Sequence, residues 1–252
     1  MRKSKAVQLS KISTRAPKDL NKTDIKENVL PKMYAEIDEL QNLLYAESRH
    51  SLLIIIQGMD ASGKDGLVRD VFSHVNPNGV VVHSFKVPTE LELSHDFLWR
   101  IHAKVPPKGM IHVFNRSQYE DVLVTRVHGL VSDELAAKRM KAINDFEQLL
   151  TEHNNTTVLK FYLHISPEEQ MERLQERLTI PSKMWKYNQT DIIEAQSWDR
   201  YMSYYEDVFT HCNDVPWNII PSDQNWYKCY LVADKILKTL RSFDMKYPGL
   251  KK

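Results

Sequence analysis

Apolar residues in this chain follow two rhythms. Across residues 32–46 they fall at Met33, Ile37, Leu40 and Leu44, the i, i+4, i+7, i+11 spacing that lines one face of a helix. Soon after, Ser51-Leu-Leu-Ile-Ile-Ile-Gln57 is short, unbroken and β-branched, as a strand covered on both faces must be. Further strands are predicted over residues 80–86, 110–114, 158–164 and 217–220. Helices are predicted over 64–74, 93–104, 119–127, 133–153, 167–179, 192–211 and 225–243. Ser132-Asp-Glu and Ser166-Pro-Glu-Glu read as N-terminal caps, with acids in the first turn and Pro167 at the first helical position. Strand and helix alternate throughout, which predicts an α/β fold: a parallel five-stranded sheet with helices on both faces and right-handed crossovers. No repeat, low-complexity tract or Pro/Gly/Ser-rich linker divides the chain. One domain is therefore expected over residues 29–252, preceded by an N-terminal arm, residues 1–28.

Composition narrows this picture. The chain has 252 residues, 42% of them hydrophobic, as suits one soluble domain. No apolar run reaches the roughly 18 residues of a membrane span, so no membrane partner is expected. Cys212 and Cys229 suit neither a metal knuckle nor a disulfide framework, and a reducing, cytoplasmic setting follows as the expectation. The net charge of +1 is unevenly placed. Residues 1–26 carry eight Lys or Arg against Asp19 and Asp24, leaving the rest of the chain net acidic by five. The arm reads as a partly disordered solvated tail, with contact to a polyanion as the other reading. It lacks the apolar stretch of a secretory signal.

The chemistry begins where the first strand ends. Gly58-Met59-Asp60-Ala61-Ser62-Gly63-Lys64 fits G-x-x-x-x-G-K between a strand and a helix, the setting a phosphate-binding P-loop requires. Its glycines let backbone N–H groups curl around phosphate oxygens, the helix N-terminus adds partial positive charge, and Lys64 reaches the distal phosphates. Two residues depart from the common pattern. Asp65 stands where Ser or Thr usually ligates magnesium, and Asp60 puts a carboxylate inside the loop. A carboxylate there repels phosphate unless a cation lies between, which assigns Asp60 to Mg²⁺. Asp65 also suits a plain first-turn acid.

A second polar cluster, Asn115-Arg116-Ser-Gln-Tyr-Glu120-Asp121, starts where the third strand stops, and carboxyl ends of strands line the ligand crevice of open α/β sheets. Arg116 is placed to neutralise a transferring phosphoryl group. Glu120 and Asp121 supply carboxylates for a metal or a nucleotide.

These segments together resemble a known family. Gly58-Met-Asp-Ala-Ser-Gly-Lys-Asp-Gly66, Ser84-Phe-Lys-Val-Pro88, Glu92-Leu-Ser-His-Asp-Phe-Leu-Trp-Arg100 and Phe114-Asn-Arg-Ser-Gln-Tyr-Glu-Asp-Val-Leu-Val-Thr-Arg-Val-His128 are similar to the polyphosphate kinase 2 family. The likeness continues through Leu159-Lys-Phe-Tyr-Leu-His-Ile165, Trp198-Asp-Arg-Tyr201 and Pro216-Trp217, covering about residues 30–245. It implies a P-loop kinase fold like that of thymidylate kinase, with a helical lid at about residues 178–198. It also implies Mg²⁺ dependence with Mn²⁺ as a substitute, and reversible phosphoryl transfer between inorganic polyphosphate and the nucleotides AMP, ADP and ATP, with GMP and GDP as further acceptors. A homo-oligomer, dimer or tetramer, is expected on the same ground. By this resemblance Asp60 and Lys64 are metal and phosphate groups, Arg116 the second-loop cation, and Arg173 and Arg177 lid residues facing phosphate, while Asp121, from the acids of the second cluster, is taken as the second metal carboxylate. Gly58, Met59, Ala61, Ser62, Gly63, Asp65, Lys86, Asn115 and Glu120 complete the binding set. Many members carry Asp followed by Trp-Tyr-Asn where this chain has Asn115, so no aspartate at 115 can ligate metal here. The local pattern resembles the branch that accepts both AMP and ADP.

Arg173 and Arg177, four apart on one predicted helix, form a basic strip with Lys183 and Lys186 suited to a polyphosphate chain, with Glu172 and Glu176 on the neighbouring face. His95, His102, His112, His128 and His164 form no metal motif and read as packed or hydrogen-bonded, and Trp185 and Trp198 as packing residues. Direct transfer without a covalent enzyme intermediate is expected. A conventional nucleotide kinase with ATP as donor shares the P-loop and remains the alternative. A nucleic-acid binder has only the basic arm in its favour, and no nucleic-acid partner is expected.

Overall fold

The unbroken apolar run forms the middle of the sheet. In the computed structural model, which describes residues 7–250, strand β1 (Ser51–Gly58) lies between β3 (Ile111–Asn115) and β4 (Thr156–His164). Strands β2 (Val80–Ser84) and β5 (Trp217–Pro221) complete a five-stranded sheet of order β2-β3-β1-β4-β5. Every pairing is parallel, with Ile54 opposite Val113 on one side and Leu159 on the other.

Side chains alternate across a strand, so β1 feeds two cores. Leu52, Ile54 and Ile56 pack with α1 (Leu30–Glu47), α2 (Lys64–Phe72) and α7 (Asn225–Arg241) through Ile37, Leu44, Leu67, Val71, Val232 and Ile236. Leu53 and Ile55 face the other way, toward α3 (Asp133–Asn154) and α6 (Trp198–His211) through Ile143, Phe146, Tyr205 and Phe209. All five β1 residues are fully buried, each contributing about 1.5–3 kcal/mol of burial. The expected caps are present: Ser132 accepts from the Leu135 amide, and Ser166 from that of Glu169 at the start of α4 (Pro167–Thr179).

Three predicted helices are broken up. Residues 93–104 make only two short turns, Glu90–Leu93 and Trp99–His102. A Thr89–Glu92 capping box starts the first turn early, and the Asp96 carboxylate accepts from the Leu98 amide at 2.9 Å, competing with continued helix. Residues 119–127 divide into a 3₁₀ turn, Gln118–Val122, and a helical turn, Val124–Val127. Residues 192–211 divide into α5 (Gln189–Ala195) and α6.

The arm differs most from expectation. Its first six residues lie outside the described part, but Leu9 is buried and its amide donates to Glu206 at 2.7 Å. The Thr14 hydroxyl donates to the Asp223 carboxylate at 2.8 Å, and the Ala16 amide to the Gln224 side chain at 2.9 Å. The described part of the arm is thus a strap over the carboxyl ends of β4 and β5 rather than a solvated tail. Among the described residues no helix is long and apolar enough to cross a membrane.

Candidate active site

Strand β1 delivers the chain to the phosphate-binding loop at the sheet's carboxyl edge. Gly63 sits at φ 91° and Ala61 at φ 62°, left-handed conformations that turn the loop tightly into α2. A Cβ on Gly63 would lie 2.3 Å from the Lys228 ammonium and displace it from the loop. Lys64, at the first position of α2, folds back to donate to the carbonyls of Gly58 (2.7 Å) and Met59 (3.1 Å). Burial, and after it the Arg116 charge, push its ammonium down to about 8, with Asp60 and Glu120 pulling the other way.

Strand β3 delivers the second cluster beside the first. Arg116 follows the last residue of β3 at φ 64°, a strained position for a side-chain-bearing residue. Its amide donates to the Ile56 carbonyl of β1, and this turn aims its guanidinium at the loop. The guanidinium donates to Asp60 at 2.6 Å and stands 3.5 Å from Glu120. Burial pushes the Glu120 carboxyl up, against the pull of Arg116 and Lys64. Gly58, Met59, Asp60, Arg116 and Glu120 line one cleft, closed by Tyr201, Tyr205 and Glu194 from α6 and α5.

Asn115 and Asp65 form a pair. The Asn115 amide donates to Asp65 at 2.7 Å, and with Lys186 it holds the Asp65 carboxyl below its ordinary value although burial works the other way. An aspartate at 115 would set two like charges at that distance, so the neutral Asn115 and the acidic Asp65 are electrostatically consistent.

Behind the loop the cations serve differently. Arg173, on α4, donates to the carbonyls of Ala61 (3.1 Å), Ser222 (2.9 Å) and Asp223 (2.9 Å) and pairs with Glu169. Lys228, on α7, is buried and donates to the carbonyls of Ser62 and Gly63 and to Asn225. Burial, then Arg173, bring it down to about 8. Gln170 donates to the Asp60 carbonyl at 3.0 Å. Arg173 was expected to face phosphate; its hydrogen bonds are instead spent on backbone that shapes the loop.

Other expected site residues are placed elsewhere. Asp121 points away from Asp60, toward Arg100 and Arg139, each at 3.8 Å, because neighbouring residues of a 3₁₀ turn project about 120° apart. Arg177 pairs with Asp191 and Lys183 with Glu176, so the basic strip is internally neutralised. Lys186 reaches back to Asp65 at 3.5 Å. Lys86 is exposed just beyond β2, its carbonyl accepting from Arg100. The histidines pack or bond as expected, with His112 on the Lys104 carbonyl and His128 on Glu194. Trp185 departs from its packing assignment and is 78% exposed.

The second loop rests on a buried network. Lys160 of β4 donates to Glu147 (2.7 Å), the Tyr119 hydroxyl (2.8 Å) and the Cys212 carbonyl (2.9 Å), and Tyr119 donates to Glu147. Tyr119 adjoins Glu120, so this satisfied ion pair fixes the turn carrying the cleft's carboxylate.

Comparison with known proteins agrees with this geometry. The model of the family polyphosphate kinase 2 matches residues 20–248. An AMP/ADP-polyphosphate phosphotransferase of Meiothermus ruber is 50% identical over 214 residues, 84% of this chain and 80% of that protein. An ADP-polyphosphate phosphotransferase of Rhodopseudomonas palustris is 40% identical over 256 residues, 96% of this chain and 88% of that protein. The crystal structure of polyphosphate kinase 2 from Arthrobacter aurescens superposes with a TM-score of 0.95 at 40% identity, covering 99% of this chain and 90% of that one. With a parallel sheet, a P-loop feeding α2 and family segments spanning nearly its whole length, this chain belongs to the polyphosphate kinase 2 family.

Proposed function

We infer that the chain transfers phosphoryl groups between inorganic polyphosphate and a nucleoside mono- or diphosphate, by direct in-line transfer. The observation that carries this reading is the meeting of Asp60, Arg116 and Glu120, from separate strands, at one cleft on the sheet's carboxyl edge, with the Lys64 ammonium held just behind it on the carbonyls of Gly58 and Met59. Phosphoryl transfer needs positioning and charge neutralisation rather than a covalent nucleophile, and these are the residue types that supply it. Arg116 leaves Asp60 and Glu120 for the equatorial oxygens of the moving group. Lys64 swings off the Gly58 and Met59 carbonyls onto the phosphate that the loop amides hold. The segment about 178–198 closes as a lid and excludes water from the donor.

The donor set fits Mg²⁺, which takes one or two carboxylates and completes its shell with water and phosphate oxygens. Asp60 and Glu120, both on the cleft, would be those carboxylates. Among the described residues no group of three His, Cys, Asp or Glu forms a dedicated metal cage, and Asp121 faces away. Mg²⁺, with Mn²⁺ as substitute, would neutralise phosphate charge beside Asp60.

AMP and ADP both serve as acceptors in this reading. The neutral Asn115 on Asp65, and the likeness to the AMP/ADP-polyphosphate phosphotransferase of Meiothermus ruber, support it. Free, buried Cys212 and Cys229 suit a reducing cytoplasm. Exposed Val87, Leu91 and Leu93 beside edge strand β2 suit a homo-oligomer.

The test offers polyphosphate or ATP to AMP, ADP, GMP and GDP in parallel, with Mg²⁺ and folded protein. ADP and ATP formed from polyphosphate are expected. Turnover with ATP as the sole working donor would establish a conventional nucleotide kinase instead.

A further inference from the structure

A cavity larger than the cleft lies elsewhere on the molecule. A space of about 1000 Å³ opens between the arm, α1, α2 and the start of α7, lined among others by Arg15, Lys22, Lys26, Asp70, Asp223 and Asn225. Its cations are held in place by the fold. Arg15 lies between Thr14 and Ala16, which bond to Asp223 and Gln224 on the cavity wall. Lys22 and Lys26 are four apart on a helical segment that the buried side chain of Ile25 fixes, so both project toward the same space.

The charges on this wall are unbalanced. Asp223 already accepts from Thr14 and from the amide and hydroxyl of Ser166. Asp70 is engaged by Arg69, and the nearby Asp24 accepts from Asn28. None of the ion pairs among the described residues involves Arg15, Lys22 or Lys26. Three cations thus face two carboxylates around the hollow, and one of these, Asp70, is already paired with Arg69, so the wall carries a net positive charge that a polyanion relieves. The hollow also adjoins the phosphate-binding loop. Asn225 on its wall accepts from Lys228 at 3.0 Å, and Lys228 donates to the Gly63 carbonyl at 3.1 Å.

We propose that this cavity is a second anion site, in which Arg15, Lys22 and Lys26 hold the stretch of a long polyphosphate chain that has passed beyond the loop. The proposal rests on the functional reading above and assigns the arm a role in selecting chain length. A short donor such as tripolyphosphate is used up within the cleft, whereas a long chain spans both places and gains from the second one.

The test combines Arg15→Ala, Lys22→Ala and Lys26→Ala in the full chain; all three side chains are exposed, so the variant folds and melts like the wild type. Direct binding of long-chain polyphosphate and of tripolyphosphate is titrated at low and moderate salt, alongside turnover with each. The expected result is roughly tenfold weaker binding and a higher KM for the long chain, with a shallower salt dependence. Tripolyphosphate binding, kcat and the nucleotide KM stay as in the wild type. Unchanged long-chain affinity, an equal loss with tripolyphosphate, or tighter binding of single-stranded DNA than of long-chain polyphosphate at this site overturns the proposal. A wild-type protein that turns over neither donor would sink the functional reading alone, because the titration still reports on the cavity.

Discussion

Arg116 and Arg173 flank the same loop, one from each side, and their partners differ in kind. Arg116 meets two carboxylates, Asp60 and Glu120, in a cleft. Arg173 meets three backbone carbonyls, those of Ala61, Ser222 and Asp223. A carboxylate can exchange its cation for a metal or yield it to an incoming phosphate, because charge is conserved in the exchange. A buried carbonyl offers no such exchange; pulling Arg173 away leaves three acceptors unpaired. The difference separates charge poised for chemistry from charge consumed in architecture, on either side of one loop.

The sharpest way to break the comparison is to remove charge from the cleft side. Lys64→Ala and Asp60→Asn are each expected to lower kcat by about 10²–10³-fold or more, far beyond what any accompanying loss of stability accounts for in protein that is still folded at the assay temperature. Arg116→Lys should recover only part of what Arg116→Ala loses, since a point charge cannot span Asp60 and two phosphate oxygens as a planar fork does. Steady-state rates and thermal melts on the same preparations check both, and wild-type rates in either of the first two variants would remove these residues from the chemistry.

The rear side should respond in the opposite sense. Arg173→Ala is expected to destabilise the fold by about 2–4 kcal/mol, since charged hydrogen bonds to three carbonyls are lost together. Its activity loss should follow loop disorder, and so shrink when saturating tripolyphosphate orders the loop. Denaturant unfolding with and without tripolyphosphate reads this. A fully stable Arg173→Ala protein with kcat reduced as far as in Lys64→Ala would move Arg173 into the cleft's company.

Titration gives a smaller effect. Lys64 and Lys228 are both lowered to about 8 in the fold. Between about 8 and their ordinary 10.5 the unfolded chain binds more protons, so the ligand-free protein gains stability as pH rises through that window. Phosphate binding runs the other way, because Lys64 in the empty loop loses its charge above about 8. Tripolyphosphate affinity should therefore fall by up to about tenfold per pH unit above that point. Lys64→Met should flatten the binding profile, while Lys228→Met should flatten chiefly the stability profile. A binding profile unmoved in Lys64→Met would mean that Lys64 is not the group that meets the anion.

This division was only partly legible in the sequence. The strand Ser51–Gly58 and the loop after it were readable because β-branched runs and G-x-x-x-x-G-K each have few structural solutions. Arg116 was readable from its place at the end of a strand. Arg173 was not, because an i, i+4 pair of arginines shows only that both share a helix face, and which surface that face meets is settled by tertiary packing. Glu120 and Asp121 are adjacent acids that a 3₁₀ turn sends to different places. Lys228 lies among Trp226, Tyr227 and Cys229 on an amphipathic helix; the one hint was Asn225 three residues earlier, which places an amide on the same face.

The lid supplies the smallest test, and it bears on whether front and rear are joined when substrate binds. Lys186, on the lid segment, is 3.5 Å from Asp65, with 35% of the lysine and 66% of the aspartate side chain exposed. A pair so open to water contributes about 0–1 kcal/mol, so Lys186→Ala should leave the melting temperature within about 4 °C of wild type. Its contribution to closure can still be read, because a lid that sits less often over the cleft admits water to the donor. Free phosphate released per nucleotide formed should rise about two- to fivefold, the shift that a loss of under 1 kcal/mol from the closed state permits. A double-mutant cycle with Asp65→Asn should give a coupling of similar size, since each change breaks the same contact. If phosphate release stays at the wild-type ratio in both single variants, the Lys186–Asp65 contact is incidental to closure, and the lid is held by Arg177–Asp191 and the bonds of Glu194 to His128 and Tyr201.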